Sequence, residues 1–535
     1  MNQSYFGVML DCSRNGVIKV SKVKQFIDII SAFGYNCLQL YTEDTFEVDN
    51  EPYFNYMRGG YTKEELKEID VYAKSKGVEL IPCIQTLAHL NAIFNWNEYK
   101  KINDTKDILL IDEDRTYQLL DNIFSTLRSC CSSKLINIGM DEAEMVGLGK
   151  YLNLHGYVDR FTLLKKHLDK VVKIAKKYDF TPIMWSDMFF KMATEGIYEL
   201  HDYNNIPKII YDNLPSDVHI TYWNYYHEKD YCYTNMLKTH KKLDSGCWFA
   251  GGAWTWTGFA PHNKWSIATM KSAMKCCRKT GVNNILITVW GDDGQECSHF
   301  AVLPSLFYAI KTYNGETKMS VIKKEFKEIT GEDFDAFMAL DLPNDLTDHK
   351  SVFSPCKYGF YNDVLNGLCD LYIPKNSTNL YKKYYKRLSR LAKNSPNFSY
   401  LFNSMAKLCD FLSVKFDLGV RLRSAYKENN KEQLKAIVKD IRVAQKKLSA
   451  FYDAHQKRWY TDFNPQGFDV QDIRIGGLMQ RLKTAERTIS DYLDGKIDKI
   501  SELEIEILPL NQYKDPLLGG YHLWRRAVSP SVIHH

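Results

Sequence analysis

The chain has 535 residues, 45% of them apolar and 25% charged, with a formal net charge of +5. That length exceeds one ordinary core, so two or more domains are expected. The composition reads as soluble and globular, and the scattered lysines and arginines argue against a nucleic-acid partner.

The first residues, "MNQSYFGVMLDCSRNG", carry no basic region followed by a long apolar stretch, and no signal peptide is expected. No run approaches the roughly 18 apolar residues of a membrane span, so no membrane association is expected. The thirteen cysteines are odd in number and form no metal-type C-x-x-C pairs. Free thiols in a reducing cytosol fit this pattern, which predicts a cytoplasmic protein.

Along the first 315 residues or so, one theme recurs: a short apolar run, a loop, then an amphipathic helix. The runs fall at 5–11, 37–43, 78–85, 135–141, 181–187, 219–225, 247–254 and 285–293, with helical patterns between them at 22–34, 62–77, 116–129 and 162–178. Gly34 and Gly77 stand where helix C-caps belong. Continuous rather than alternating apolar runs signal strands covered on both faces. Eight such units predict an α/β fold, a (β/α)8 TIM barrel over 1–340. The alternative, a doubly wound open sheet, is disfavoured by the count of eight and by the lack of a Gly-rich phosphate turn. Residues 341–535 read as a linker-like stretch (344–367) and a mainly α-helical C-terminal domain, with helices at 377–394, 398–428, 431–456 and 476–493. The tail "GGYHLWRRAVSPS" reads either as folding back on the barrel or as a subunit contact that would make a homodimer.

Catalytic residues of such barrels gather at the C-terminal ends of the strands. There the sequence places Asp11 and Arg14; Glu43, Asp44 and Glu47; His89; the adjacent pair Asp141–Glu142; Trp185 and Asp187; Trp223, Asn224 and Tyr225; Trp254 and Trp256; and Trp290, Asp292 and Asp293. For any one Trp the alternative reading is a cap on a partly apolar barrel mouth. Together with the carboxylates, the Trp residues describe a sugar pocket, in which rings stack on pyranose faces and carboxylates chelate hydroxyls. His89 reads either as a pocket residue or as a hydrogen-bonded structural one. No H-x-x-H pairing points to a metal, and no metal or other cofactor is expected.

Five segments resemble glycoside hydrolase family 20, the β-N-acetylhexosaminidases. "GMDE" at 139–142 resembles that family's "GGDE", "LDCSRN" its "DTSR", and "YTEDTFE" its "H-I-T-D-D-Q-x-F". "IPCIQTLAH" resembles "IPEFDTPGH", and "VWGDD" resembles "W-G-E". "GMDEAEMVGLGKYL" and "YHLWRR" are closest to a bacterial subgroup with a helical C-terminal domain. Two departures stand out. Strand 1 starts almost at Met1, without the α+β domain that precedes many family barrels, and the strand-7 Tyr-x-Asp segment has no counterpart in "GGAWTWTGF".

The resemblance implies exo hydrolysis of terminal β-linked N-acetylglucosamine, or also N-acetylgalactosamine, from an oligosaccharide or glycoconjugate. It implies a retaining, substrate-assisted mechanism, in which the substrate's 2-acetamido oxygen attacks the anomeric carbon. Glu142 would be the acid/base and Asp141 would orient the acetamido group, while Tyr225 would take the role of the missing strand-7 tyrosine. Arg14, Glu43, His89 and Asp292 would contact the sugar, and Trp185, Trp223, Trp254 and Trp290 would wall it. Two rivals remain at this level: a glycosidase with a protein nucleophile, and a catalytically inactive sugar-binding barrel.

Overall fold

Eight short parallel strands close on one another in sequence order: β1 (Phe6–Asp11), β2 (Cys37–Tyr41), β3 (Glu79–Cys83), β4 (Leu135–Asn137), β5 (Thr181–Trp185), β6 (His219–Trp223), β7 (Trp248–Gly252) and β8 (Asn284–Val289). The ring is sealed by β1 against β8, with Phe6 opposite Ile285 and Leu10 opposite Val289. This computed structural model describes residues 4–200, 202–346, 354–510 and 522–533. The α/β barrel expected from the sequence is therefore the observed one. Every residue of β1, β2 and β7 is buried, which is why these runs are apolar throughout rather than alternating.

Between strands lie α1 (Val20–Phe33), α2 (Lys63–Ser75), α3 (Asp114–Cys130) and α4 (Arg160–Lys177), then α5 (Asp187–Ala193), α6 (Asp230–Leu243) and α7 (Asn263–Thr280), and α8 (Leu303–Tyr313) follows β8. Their ends follow local chemistry. Gly34 closes α1 at φ 98°, its N–H reaching Ile30 and Ser31 carbonyls. Thr62 and Glu65 form a reciprocal capping box on α2. Inside the barrel Met9, Cys37, Tyr41, Ile81, Ile183, Trp185, Trp248 and Leu286 pack into one buried cluster.

The chain divides into two compact units. The first comprises 1–253, 266–290 and 305–322; the second comprises 254–265, 291–304 and 323–535. The second unit is helical: α9 (Pro355–Tyr361), α10 (Ser377–Asn394), α11 (Ser399–Lys415), α12 (Leu418–Lys427), α13 (Lys431–Asp462) and α14 (Phe468–Leu493). Two expectations need correction. The single helix over 398–428 is two helices, broken at 416–417. Just before the break the buried Lys415 turns inward and donates to the Asn362 carbonyl at 2.6 Å, a tertiary demand that local periodicity does not carry. The linker-like stretch contains α9, wholly buried, whose Phe360 packs edge-on against Phe411 and Phe451. Residues 347–353 of that stretch lie outside the described residues. So does the start of the tail, 519–521. Further on, Trp524 N–H donates to Asp293 at 2.6 Å and its ring lies under Arg474, all within the second unit.

Candidate active site

The Asp141–Glu142 pair sits on a contorted turn after β4. Gly139, Met140 and Glu142 have φ of 70°, 69° and 50°, a left-handed backbone that non-glycine residues hold only when their surroundings over-determine it. The determinants are side chains. Gly139 N–H donates to Asn137 Oδ1 at 3.1 Å, Met140 N–H to Gln85 Oε1 at 3.2 Å, and Glu142 N–H to Asp187 Oδ2 at 3.2 Å.

The turn gives the two neighbours different surroundings. Asp141 is nearly buried. Its Oδ1 accepts from Gln85 Nε2 at 2.7 Å, and its Oδ2 stands 3.3 Å from His89 Nε2. Burial alone would raise its pKa, but the His89 charge and the bonds from His89 and Gln85 hold it below the usual carboxylate range. His89 is affected in the opposite sense: burial opposes its charge, yet Asp141 raises it to about 9. The Glu142 side chain is 53% exposed, with Oε2 3.7 Å from His89 Nε2. Desolvation first, then the Asp141 charge, push its pKa up. One carboxyl is thus fixed as an anion while its neighbour is tuned toward holding a proton.

Asp187, fully buried at the start of α5, underlies the turn. Lys191 lies 3.2 Å from its Oδ2, and its Oδ1 has no hydrogen-bond partner among the described residues. Burial and then the Asp141 charge raise its pKa.

A second cluster stands at the ends of β1 and β2. Arg14 Nη1 is 3.2 Å from Glu43 Oε1 and 3.4 Å from Asp11 Oδ2, and it donates to Ser13 Oγ at 3.0 Å. The guanidinium lies 5.1 Å from the Tyr41 ring centroid and 5.6 Å from that of Trp290. Burial raises the Glu43 pKa, opposed by Arg14. A cluster of aromatic rings continues from here. Tyr41 meets Trp290 edge-on at 4.8 Å, Trp185 is 6.2 Å from Trp290, and Trp290 Nε1 donates to the Tyr225 hydroxyl at 3.3 Å. Tyr225 stacks on Trp223 at 5.4 Å, and burial keeps its phenol neutral.

Of the residues singled out from sequence, Arg14, Glu43, His89, Asp141, Glu142, Trp185, Trp223, Tyr225 and Trp290 all belong to the first unit. Trp254 and Asp292 fall in the second. There Trp254 stacks on Trp256 at 4.2 Å. Next to Asp292, Asp293 is held by Lys357 at 2.9 Å and Arg474 at 3.0 Å. Sequence reasoning assigned no role to Gln85 or Tyr41. Neither has a sequence signal of its own: Tyr41 ends β2 and Gln85 lies two residues past β3, where a phenol and an amide look like ordinary core. Among the described residues, no group of three or more His, Cys, Asp and Glu side chains is arranged to hold a metal ion.

The catalytic domain of glycosyl hydrolase family 20 matches residues 4–284, and the glycoside hydrolase 20C C-terminal domain matches residues 335–519. The chain belongs to glycoside hydrolase family 20. It is 23% identical over 251 residues to a probable beta-hexosaminidase of Arthroderma benhamiae, covering 41% of this chain and 38% of that protein. It is 23% identical over 167 residues to a beta-hexosaminidase of Akkermansia muciniphila, covering 26% of this chain and 34% of the other. The family 20 chain thus spans little more than a third of the length of these curated relatives. Among solved structures, a family 20 exo beta-N-acetylglucosaminidase from Vibrio harveyi in complex with N-acetylglucosamine aligns at TM-score 0.47 and 14% identity, over 64% of this chain and 59% of that one.

Proposed function

We propose that this family 20 chain is an exo-acting β-N-acetylhexosaminidase that removes terminal β-linked N-acetylglucosamine or N-acetylgalactosamine with retention of configuration, the substrate's own acetamido oxygen serving as nucleophile. The observation that carries this reading is the unequal treatment of two adjacent carboxyls. A glycosidase that uses a protein nucleophile sets its carboxyls on opposite faces of the sugar, about 5 Å or more apart. Here the buried anion Asp141 stands beside the more exposed Glu142, whose pKa is raised.

In the proposed cycle Glu142 protonates the leaving oxygen as the acetamido oxygen closes on the anomeric carbon. Asp141 accepts the acetamido N–H and stabilises the positive charge of the oxazolinium-type intermediate. Glu142 then takes a proton from the incoming water, which opens the ring. The nucleophile is already attached to the substrate, so proximity lowers the barrier. The Tyr225 hydroxyl, neutral and close to Trp290, donates to the acetamido oxygen. Arg14 and Glu43 grip sugar hydroxyls, and Trp185, Trp223 and Trp290 wall the ring.

The test is a pair of chromogenic substrates, the 4-nitrophenyl β-glycosides of N-acetylglucosamine and of glucose. Hydrolysis of the first alone supports the reading; equal hydrolysis of both, or of the second alone, refutes it. All thirteen cysteines are free thiols and nearly all are buried, and on that ground we place the chain in a reducing, cytoplasmic compartment.

A further inference from the structure

Gln85 is wholly buried, and each end of its amide has a partner. Nε2 donates to Asp141 Oδ1 at 2.7 Å and to the Tyr41 hydroxyl at 2.9 Å, while Oε1 accepts from Met140 N–H at 3.2 Å. Both amide protons are therefore committed. The reversed amide would set its carbonyl against a carboxylate and a phenol oxygen, and its NH2 against an N–H, so only one orientation is satisfied. Tyr41, also fully buried, accepts from Gln85 and donates its own proton to Glu43 Oε1 at 3.1 Å. Glu43 Oε1 lies 3.2 Å from Arg14. The bonds run without a gap from Asp141 through Gln85 and Tyr41 to Glu43 and Arg14. Gly139 makes the close approach feasible: a Cβ there would lie 2.1 Å from Gln85 Oε1.

We propose that Gln85 and Tyr41 are positioning residues, a directional hydrogen-bond relay that fixes the Asp141 carboxylate and ties its orientation to the Arg14–Glu43 pair. The relay rests on the reading above, in which Asp141 orients the acetamido group and Arg14 and Glu43 grip the sugar. Tyr41 has one proton to give. While Glu43 accepts it, the Tyr41 lone pair stays turned to Gln85, and the second Gln85 proton stays on Asp141. In a low-dielectric interior such chained bonds polarise one another. A sugar hydroxyl engaging Glu43 is therefore felt at Asp141, on the opposite side of the relay.

The test is the pH profile of kcat/KM on an N-acetylglucosaminide for wild type, Gln85→Met, Gln85→Glu, Tyr41→Phe and the double variant Gln85→Met/Tyr41→Phe. Besides Gln85, Asp141 is faced by His89, Glu142 and Asp187, by the phenols of Tyr41 and Tyr225, and by the Cys83 thiol. On the acid side His89 is charged and the phenols and thiol are neutral, so a shifted acid limb reports carboxyls. Gln85→Met removes a bond that holds Asp141 ionised. Its acid limb should move up, with about a 10- to 100-fold loss at low pH that shrinks as pH rises.

Gln85→Glu, nearly isosteric, should do the reverse. The introduced carboxyl donates to Asp141 while protonated and repels it once ionised, so a new loss appears on the basic side. Tyr41→Phe leaves the Gln85–Asp141 bond in place but removes the next link of the relay, so its acid limb should move the same way by less than that of Gln85→Met, while its KM rises. Combined with Gln85→Met, its effect should be less than additive. A general loosening of the fold would lower activity alike at every pH. PH-independent losses in both Gln85 variants, or strict additivity in the double variant, would overturn the relay while leaving the reading of the site intact. A wild type inactive on every 2-acetamido sugar would overturn that reading, and the relay with it.

Discussion

Nε2 of His89 stands 3.3 Å from Oδ2 of Asp141 and 3.7 Å from Oε2 of Glu142. One cation thus faces two adjacent carboxyls, and the nearer one is held ionised. His89 itself adopts a left-handed backbone, φ 59°, which aims its ring at the pair.

This contact has a pH signature in stability. The folded-state pKa of His89, about 9, lies above its ordinary 6.5, so the folded state holds the proton more tightly. The contribution is complete below pH 6.5 and is lost as pH rises through about 9. The difference in urea midpoint between wild type and His89→Gln should be largest at mildly acidic pH and vanish by about pH 10. A difference that grows with pH would contradict the ion pair.

Glu142→Gln keeps the shape and removes the proton donor. Turnover of substrates with poor leaving groups should fall by about 10²–10⁴-fold, with a smaller loss for activated aryl glycosides. The basic limb of the wild-type profile, where Glu142 loses its proton, should disappear. Both substrate types staying within a few-fold of wild type would remove Glu142 from the acid role.

Arg14→Ala removes the countercharge of a buried carboxylate as well as the sugar contact proposed above. A charge-assisted bond of about 1.5–3 kcal/mol corresponds to roughly a 10- to 150-fold fall in kcat/KM. The circular dichroism spectrum should be unchanged, because Arg14 lies beyond the end of β1 and the pairing of that strand with β2 and β8 runs through residues 6–11. Loss of the folded spectrum would make Arg14 structural.

Asp187→Leu withdraws the acceptor beneath Glu142 N–H and leaves Lys191 without one of its two carboxylates. A buried donor left unpaired costs about 1–3 kcal/mol, and the left-handed turn at Glu142 relaxes. Melting temperature and kcat should both fall, whereas Asp187→Asn, which keeps an acceptor oxygen, should recover most of each. Equal defects in the two variants would show that the carboxylate charge matters rather than the bond.

The barrel was legible because strands buried on both faces leave unbroken apolar runs, and helix ends such as Gly34 and Gly77 use local chemistry. Asp141, Glu142, Arg14 and His89 were legible because charged or polar groups at the ends of apolar strands need a reason to be there. Gln85 and Tyr41 were not. An uncharged amide and a phenol at a strand end look like ordinary core, and only the distances across β2, β3 and β4 reveal their bonds. Asp187 was visible at the end of β5, but its bond to the Glu142 backbone depends on a left-handed turn that the letters "GMDE" do not announce. The break between α11 and α12 was hidden for a similar reason, since Lys415 is pulled inward by carbonyls more than fifty residues away.

The central claim is that the nucleophile belongs to the substrate. The measurement that tests it most directly is kcat/KM of wild type and Asp141→Asn on glycosides whose acetyl group carries none, one, two or three fluorines. Each fluorine weakens the carbonyl oxygen as a nucleophile, so log kcat/KM of wild type should fall steeply along the series. Asp141→Asn should lose roughly 3–4 kcal/mol of transition-state stabilisation on the parent substrate, as when an oxyanion-hole donor is removed. It should also show a changed slope, because both perturbations act on one interaction. A flat fluorine series in wild type, or a covalent sugar–enzyme adduct trapped during turnover, would contradict the account and return the reaction to a protein nucleophile.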